Sequence, residues 1–495
     1  MTIVVILIYL ALVLAIGFSS HLLFRGTSED YFLATRSIGP FLLLMSLFGT
    51  HMTAFSLLGA SAEGYRSGIG VFGLMASSSA LVAPVVFHFV GTRVWALGAR
   101  HGFLTQVQFF RARWESDGLG LMLFCVLVAL LVPYLLIGVM GAGVALNRIT
   151  SGQVPEWIGG LAVCAVVLAY VAFGGLRGTA WVNTFQTLVF MILGAVTFFW
   201  IARRLGGLEA VLAQVAQSRP ELLVRGETIR PLQMLTYACI PLSVGMFPHI
   251  FMHWLTARRV SGFRTAIIGY PLCIAAVWLP SVLLGVIAAV DIPGLQGPQA
   301  NAVLVQMIQR HAPELLAGLL GAGVFAAIMS SLDSQVLSLG TMFTQDIVRH
   351  YGFNDRMSEK GQILAGRLFV AAILLVTYLI SLGAPRSIFA LGVWSFTGFA
   401  SLFPVVLAAL FWRRSTRQGV AASVLAVAAL WIFFFLRSGA APGYTVGGTG
   451  VLPVAVILPV AAAVLVLVSL FTRPPDREFL DRFFAGKEAI QGTGG

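Results

Sequence analysis

A chemically unusual segment runs from residue 326 to residue 346, AAIMSSLDSQVLSLGTMFTQD, where hydroxyl groups and a carboxylate interrupt an apolar helical pattern. Ala327, Ser330 and Ser331 are spaced i, i+3 and i+4, so on a helix they share one face. Asp333 follows near the edge of that face. Small oxygen atoms that converge at one point suit a hard monovalent cation. Serine and alanine also pack transmembrane helices closely together, so this segment alone leaves both interpretations open.

The composition of the chain is that of a polytopic membrane protein. Of its 495 residues, 58% are hydrophobic and 10% are charged, and the mean hydropathy is +0.92. The first apolar segment, residues 2–24, lacks a basic leader and a cleavage site, so we expect a retained helix rather than a signal peptide. The net charge of +12 is spread among short loops, which favours membrane topology over a nucleic-acid partner. The cysteines are isolated in separate apolar segments and predict neither a disulfide framework nor a zinc site: Cys125, Cys164, Cys239 and Cys273.

Helices are expected throughout, because only a helix satisfies its own backbone in lipid and the apolar segments lack the alternation of barrel strands. We predict an all-α protein with about 13 transmembrane helices. Their expected bounds are 2–23, 40–65, 70–97, 119–147, 156–174, 180–202, 230–256, 263–290, 313–345, 362–383, 387–411, 418–436 and 451–472. An external N-terminus and a cytoplasmic C-terminus place roughly 20 of the 31 Lys and Arg residues on the cytoplasmic side. Residues 100–117 predict an amphipathic helix on the cytoplasmic face, and the last ten or so residues are expected to be disordered.

The predicted organisation has one membrane unit without an appended soluble domain. Its parts are a first helix and connector at 1–39, a first group of five helices at 40–202, an extracellular loop at 203–229, a second group of five at 230–412, two peripheral helices at 413–472 and a cytoplasmic tail at 473–495. No loop is long enough for a nucleotide-binding or kinase module.

Two of the predicted spans contain residues that interrupt a helix. The second span combines glycines, hydroxyls, a histidine and Glu63, which is costly on a lipid-facing helix. The seventh contains Pro241, Gly245 and Pro248, which predict a kink or an unwound segment. Each broken span opens one of the two groups of five helices. This spacing indicates an inverted repeat, with a binding site at the two breaks near the middle of the bilayer.

Five stretches of the sequence resemble the sodium:solute symporter family, whose members carry proline, sugars, pantothenate, monocarboxylates or iodide. They are YFLATRSIG at 31–39, THMTAFSLLGASAEGY at 50–65, GGLRGTAWVNTFQ at 174–186, FPHIFMHWLTARR at 247–259 and AAIMSSLDSQVLS at 326–338. The resemblance covers about the first 350 residues. It implies a leucine-transporter-type core in which spans two to eleven form a five-plus-five inverted repeat.

The resemblance also implies a sodium site between the second and ninth predicted spans. The broken helix would supply the backbone carbonyls of Gly49 and Met52. The other helix would supply the Ala327 carbonyl with the hydroxyls of Ser330 and Ser331. Carbonyl groups left free at a helix break already carry partial negative charge, which agrees with cation binding. Na⁺ would accordingly be the co-transported ion.

The expected solute-binding residues are those that depart from the proline-type members of the family. His51 stands where those members carry an aspartate, and Thr53 and Phe55 belong to the altered segment that follows. Phe247 replaces the glutamine of the commoner QPH form. These departures argue against proline itself as the solute. The His51 imidazole could donate to a carboxylate or carry a proton, and it could equally be a packing histidine.

Three further residues are expected to take part in coupling or gating. Glu63 lies near the outer end of the broken helix, Asn183 replaces an aspartate found in many relatives, and Asp333 adjoins the serine pair. A solvated mouth residue or a structural hydrogen bond would explain Glu63 and Asp333 equally well. His249 and His253 have the i, i+4 spacing of a metal pair, but no third ligand has a recognisable spacing.

The functional hypothesis is a transporter rather than an enzyme: sodium-coupled symport of a small organic solute, of the organic acid, amino acid or sugar class, across the cytoplasmic membrane. Its partners would be the solute, sodium and the lipid bilayer, with no nucleic acid and no obligate protein partner evident. Proton-coupled symport by the same fold is the alternative, because His51 and Asn183 depart from sodium-coupled relatives. A membrane enzyme or respiratory subunit is less favoured, since the eight histidines show no paired spacing for haem ligation.

Overall fold

The computed structural model describes residues 2–19, 38–226, 228–352, 358–383, 387–439, 441 and 443–484, and nearly all of them are helical. These residues contain no strand, and an isolated bridge pairs Ile38 with Ala257. The all-α prediction is confirmed. The predicted disordered tail and most of the YFLATRSIG stretch lie outside the described residues.

Eighteen helices are labelled here in chain order. The first nine are α1 (Thr2–Ser19), α2 (Pro40–His51), α3 (Phe55–Ser67), α4 (Gly70–His101), α5 (Gln106–Trp114), α6 (Asp117–Ile149), α7 (Glu156–Arg204), α8 (Leu208–Ser218) and α9 (Pro231–Gly245). The other nine are α10 (Pro248–Thr256), α11 (Gly262–Asp291), α12 (Val303–His311), α13 (Glu314–Arg349), α14 (Glu359–Ser381), α15 (Ile388–Phe411), α16 (Arg417–Ser438), α17 (Val454–Phe471) and α18 (Arg477–Phe484).

Nine helices in the described part of the chain are long and apolar enough to cross a membrane. The number rises to 11 if the bent pairs α2/α3 and α9/α10 each count as one span. Two shorter apolar segments, Ile3–Ile16 within α1 and Glu156–Ala169 within α7, are not counted among these spans. The polytopic architecture is thereby established, while the figure of thirteen spans and the inverted repeat stay predictions.

The expected interruption between residues 174 and 180 is absent from the backbone, which forms the single helix α7 of 49 residues. The intervening GGLRG sequence contains no proline, so every residue can still donate its N–H to the helical ladder. Its glycines lower helix propensity by only about 1 kcal/mol each.

Both predicted helix breaks are confirmed. The axes of α2 and α3 are bent by 61°, and those of α9 and α10 by 51°. At the first break, Met52 leaves the helical region with φ −80° and ψ 115°, and the Thr53 hydroxyl accepts a 2.9 Å hydrogen bond from the Phe55 amide. At the second break, Pro248 occupies the first turn of α10, where its missing N–H costs nothing.

Helix α5 differs from the predicted amphipathic surface helix, because most of its side chains are buried in the protein. Arg113 donates to the carbonyls of Ala409 at 3.0 Å and Trp412 at 3.2 Å. Its guanidinium also lies over the rings of Phe483 and Phe484 of α18. Burial, with a smaller contribution from the Arg413 charge, lowers the pKa of Arg113 to about 10. The carbonyls and rings explain why this basic, aromatic segment packs inward.

Helix α13 is the central element of the bundle. Every residue from Leu320 to Met342 is buried. It packs against α1, α2, α6 and α7, so its polar side chains face protein on all sides. Buried polar groups in such a position are costly unless they are paired or functional.

Candidate ion and solute sites

The hydroxyl of Ser330 joins α13 to the end of α2. Its Oγ donates to the Gly49 carbonyl at 3.0 Å and to the Ala327 carbonyl at 3.1 Å, and Ser330 is fully buried. The Gly49 carbonyl belongs to the last turn of α2, where helix carbonyls lack helical partners. Three of the five predicted sodium ligands therefore meet at one point. The arrangement places partial negative charge in a dry environment.

The other two predicted ligands, Met52 and Ser331, are buried nearby in the chain but form other contacts. The Met52 amide donates to the Phe48 carbonyl at 2.9 Å, and the Ser331 hydroxyl donates to the Ile328 carbonyl at 3.1 Å. The predicted Met52 ligand is its carbonyl oxygen, which the bond from its amide does not engage, so the five-ligand set stays a prediction.

Helix α7 completes the surroundings of Gly49. A Cβ atom on this glycine would overlap Thr187 Oγ1 and would lie 3.4 Å from the Asn183 carbonyl oxygen. Thr187 itself donates to the Met45 carbonyl at 3.3 Å. The close approach of α2 to α7 therefore depends on the missing side chain.

A polar network next to this point contains two of the predicted coupling residues. Asn183 Nδ2 donates to Ser334 Oγ at 2.7 Å, and Ser334 donates to Asp333 Oδ1 at 3.2 Å. All three side chains are buried. The network links α7 to α13 and holds a carboxylate on the helix that carries Ser330.

Glu63 lies apart from this network, near the end of α3. Its carboxylate forms a 3.2 Å ion pair with Arg66 and accepts a 2.9 Å hydrogen bond from Ser67. The side chain is 15% exposed, and its contacts are those of a locally paired group. A hydrogen bond from Arg66 to the Gly297 carbonyl extends this pair to a neighbouring loop.

His51, at the first helix break, lies against an aromatic wall. A hydrogen bond joins its Nδ1 to Tyr270 Oη, and the two rings stack with centroids 6.0 Å apart. The centroids of Phe247 and Phe396 lie 5.9 Å and 6.2 Å from the imidazole centroid. Since Phe247 belongs to the second break, both breaks meet here.

Phe396 of α15 connects the remaining rings. Its centroid lies 5.1 Å from those of Phe55 and Tyr134 and 5.6 Å from that of Phe247. We refer to the buried set of seven side chains as the aromatic cluster: His51, Phe55, Tyr134, Phe247, His249, Tyr270 and Phe396. Of the four predicted solute-binding residues, only Thr53 lies outside it. The Thr53 hydroxyl instead accepts a hydrogen bond from the Phe55 amide, at the start of the second half of the broken helix.

Sequence reasoning missed Tyr134, Tyr270 and Phe396, because each lies in an ordinary apolar span where aromatic residues are common. It also assigned no role to Asp346, although a lone carboxylate in an apolar span is itself a signal. Asp346 is fully buried and accepts a 2.7 Å hydrogen bond from Thr105. Its carboxylate lies 3.5 Å from Arg111 Nη1.

The histidine pair of α10 is buried, and neither nitrogen of His249 has a hydrogen-bond partner in the described structure. The His249 ring stacks on Phe247 with centroids 5.1 Å apart. Within the described residues, no group of three or more His, Cys, Asp or Glu side chains is placed to hold a metal ion.

The chain is similar to several bacterial symporters along most of its length. It is 26% identical to the sodium/proline symporter of Escherichia coli (strain K12) over 472 residues, which cover 90% of each chain. It is 25% identical to the sodium/pantothenate symporter of the same organism, covering 80% of this chain and 82% of the other. An uncharacterized symporter of Bacillus subtilis (strain 168) is 23% identical, with 80% and 81% covered.

Solved structures show the same fold. A Na⁺-coupled sialic acid symporter in a substrate-bound, outward-open state superposes with a TM-score of 0.79 at 16% identity, covering 96% of this chain and 99% of the other. A nucleobase-cation-symport-1 family transporter gives a TM-score of 0.59 at 13% identity, with 92% and 99% covered.

These relatives are membrane transporters rather than enzymes, and sodium is the co-transported ion that the family implies. A family model matches residues 31–426, which is most of the chain. The chain belongs to the sodium:solute symporter family.

Proposed function

We propose that this protein couples inward movement of sodium to the uptake of a small organic solute across the cytoplasmic membrane by alternating access. The observation that carries the proposal is the Ser330 hydroxyl, which bridges the broken helix and the helix α13 through the carbonyls of Gly49 and Ala327. The two carbonyl oxygens that accept from this hydroxyl carry partial negative charge, so they would also attract a cation placed between them.

In the proposed sodium-bound state, the Ser330 hydroxyl turns its lone pairs toward the ion. The carbonyls of Gly49, Met52 and Ala327 and the hydroxyls of Ser330 and Ser331 would surround it with five oxygens. Oxygen ligands suit a hard cation, and free carbonyls at a helix break need little rearrangement. Because the ligands come from α2 and α13, sodium would stabilise the state in which these helices approach each other. It can shift the equilibrium only by its differential affinity for that state.

The solute is proposed to bind at the aromatic cluster, in contact with His51, Phe55 and Phe247. Both helix breaks contribute to this cluster, so its shape would change when the broken helices move. Thr53 would act indirectly, through its bond to the Phe55 amide. The residues at 40–202 and 230–412 are proposed as the two repeats that move against each other, with the N-terminus outside and the C-terminus in the cytoplasm.

Asn183 and Asp333 are proposed coupling residues. Their shared hydrogen bonds to Ser334 hold a carboxylate on the ion-site helix. A negative charge there would favour a nearby cation and would respond to its departure. Glu63 is proposed to act at the outer end of α3, where its pairing with Arg66 ties the broken helix to a loop.

The proposal is tested by ²²Na⁺ flux into proteoliposomes containing the purified full-length protein. Organic acids, amino acids and sugars are added singly on the outside, with an inward sodium gradient. We expect at least one solute class to accelerate ²²Na⁺ influx, and Ser330→Ala to abolish the acceleration. Solute accumulation that follows an imposed pH gradient and ignores the sodium gradient would contradict sodium coupling and support the proton-coupled alternative.

A further inference from the structure

Two polar side chains of the aromatic cluster have no hydrogen-bond partner among the described residues. They are Tyr134, through its Oη, and His249, through both ring nitrogens. Both residues are almost completely buried, and their ring centroids are 5.6 Å apart. Each ring also contacts Phe247, with centroid distances of 5.3 Å and 5.1 Å. Leaving such groups unpaired in a dry interior costs free energy, so a pair of them at one place points to a ligand.

The segments that build the cluster carry no charged side chain. Residues 40–62, 118–147, 231–257, 265–290 and 387–412 contain no Asp, Glu, Lys or Arg. These five segments supply all seven side chains of the cluster. On the adjacent α13, Asp333 accepts its hydrogen bond from Ser334, the residue that also bonds to Asn183 of α7. The cluster thus contains no carboxylate that could pair with an ammonium group of a solute. It does contain two side chains that can donate hydrogen bonds and have no partner, Tyr134 and His249.

We infer that the transported solute is a small monocarboxylate with an apolar body and no ammonium group. Its carboxylate accepts hydrogen bonds from Tyr134 Oη and from the N–H of a neutral His249 imidazole. Its apolar body packs among the rings of Phe247, Phe396 and Phe55. This inference rests on the proposed symport function and assigns the chemistry of its solute.

The charge of a buried carboxylate must be balanced, because an isolated anion in a low-dielectric interior is strongly disfavoured. The uncharged cluster provides no fixed cation. The proposed sodium site lies beside it, since His51 of the cluster falls between Gly49 and Met52 in the chain. Sodium is therefore the counter-charge of the solute, and each raises the affinity for the other by the same factor. A sugar, which needs many hydrogen-bonding groups, fits these rings poorly.

A cleft lies beside the cluster. The cleft is lined by residues of α9, α15 and the segment before α17, including Tyr237, Trp394 and Thr397. Phe389 also lines it and stacks on Phe55 of the cluster with centroids 5.0 Å apart. Under the predicted topology this cleft lies on the outer side, so Phe389 and Phe55 separate the solute site from the outside.

The test compares three forms of one carbon skeleton in a thermal-stability assay of the purified protein. Propionate, propionamide and alanine form one set, and 3-phenylpropionate, 3-phenylpropionamide and phenylalanine form a second. Each compound is titrated in NaCl and in KCl at equal ionic strength. We expect at least one carboxylate to raise the melting temperature in NaCl and not in KCl. The matching amide should bind at least about tenfold more weakly, because it loses the charged hydrogen bond. The matching amino acid keeps its carboxylate but buries an ammonium group without a partner, and it should also bind at least about tenfold more weakly.

Two variants locate the effect. Tyr134→Phe removes the hydroxyl and should weaken carboxylate binding roughly ten- to a hundredfold. Tyr378→Phe, at a buried tyrosine outside the cluster, serves as the matched control and should bind like the unmodified protein. Stabilisation by sodium alone should persist in Tyr134→Phe, which shows that the variant is folded and that its ion site is intact.

The outcomes separate the two proposals. If NaCl does not raise the melting temperature of the unmodified protein above that in KCl, with or without a solute, the proposed sodium coupling itself is overturned. Sodium-specific stabilisation with no response to either carboxylate would overturn the present inference and leave the sodium coupling standing. An amide or amino acid that binds as well as its carboxylate, or unchanged carboxylate binding in Tyr134→Phe, would also overturn it.

Discussion

Replacing Gly49 by alanine adds one methyl group at the crossing of α2 and α7. The new Cβ would overlap Thr187 Oγ1 and would lie 3.4 Å from both the Thr187 Cβ and the Asn183 carbonyl oxygen. Thr187 cannot retreat freely, because its hydroxyl donates to the Met45 carbonyl of the same helix that carries the glycine. The methyl group is therefore expected to push α2 away from α7 and to displace the Gly49 carbonyl from Ser330.

Overpacking of a close-packed interior typically costs about 1–3 kcal/mol. The clash exists only while α2 lies against α7, so the cost falls on the arrangement that presents the Gly49 carbonyl to sodium. If the cost is relieved when α2 moves away, the apparent sodium affinity falls by the same free energy, or roughly 5- to 150-fold.

The assay is ²²Na⁺ binding to the purified protein, with Gly49→Ala alone and combined with a second substitution at Thr187. Thr187→Ala removes the atom that clashes and should restore most of the affinity in the double variant. Thr187→Val keeps a methyl group in the place of the hydroxyl and should not restore it. Wild-type sodium affinity in Gly49→Ala, or equal rescue by alanine and valine, would refute the steric reasoning.

Further predictions concern the two polar networks. Asp346→Asn should lower the stability by about 2–4 kcal/mol, because it leaves the charge of Arg111 with a weaker partner in a buried setting. This is measured by thermal unfolding in detergent against Asp481→Asn, whose carboxylate pairs with Arg413, is 69% exposed and should change stability by less than about 1 kcal/mol. Asn183→Ala should raise the sodium concentration that half-saturates transport, by the equivalent of about 1–2 kcal/mol of sodium-binding free energy, since it removes the 2.7 Å hydrogen bond to Ser334. Sodium titrations of solute-driven flux measure this effect, and unchanged half-saturation would argue against a coupling role.

The sequence predicted the architecture best where a residue type has one dominant structural consequence. Proline and dense glycine and hydroxyl residues interrupt a helix in lipid, so a break could be predicted in each of the two spans, and the structure places them at Met52 and before Pro248. The meeting of Gly49 with Ser330 was predicted through the family resemblance. The i, i+3, i+4 spacing on α13 had identified Ser330, and the predicted break in the second span had identified the region of Gly49.

Residues that act through distant contacts could not be predicted in the same way. Tyr134, Tyr270 and Phe396 belong to three different helices, and their positions in the cluster depend on how those helices pack. No periodic pattern distinguishes them from aromatic residues that face lipid. Thr53 was assigned to the solute by its place in a motif, whereas its hydroxyl bonds to the neighbouring backbone. Local hydrogen bonding of this kind competes with ligand binding for the same group.

The inward packing of α5 has a similar origin. Its alternation of basic and aromatic residues is typical of a helix at a membrane surface. The same residue types are satisfied here by backbone carbonyls at the end of α15 and by the rings of α18. The sequence contains both halves of this contact, at Arg113 and Phe484, but they are separated by more than 350 residues along the chain.

The most direct test of the account is sodium binding to Ser330→Ala and Ser331→Ala, measured with ²²Na⁺ on the purified protein. The control is Ser338→Ala on the same helix, whose hydroxyl donates to the Gln335 carbonyl at 2.7 Å. The account predicts that each of the first two variants binds sodium roughly ten- to a hundredfold more weakly, while the control binds like the unmodified protein. Wild-type sodium affinity in both Ser330→Ala and Ser331→Ala would contradict it.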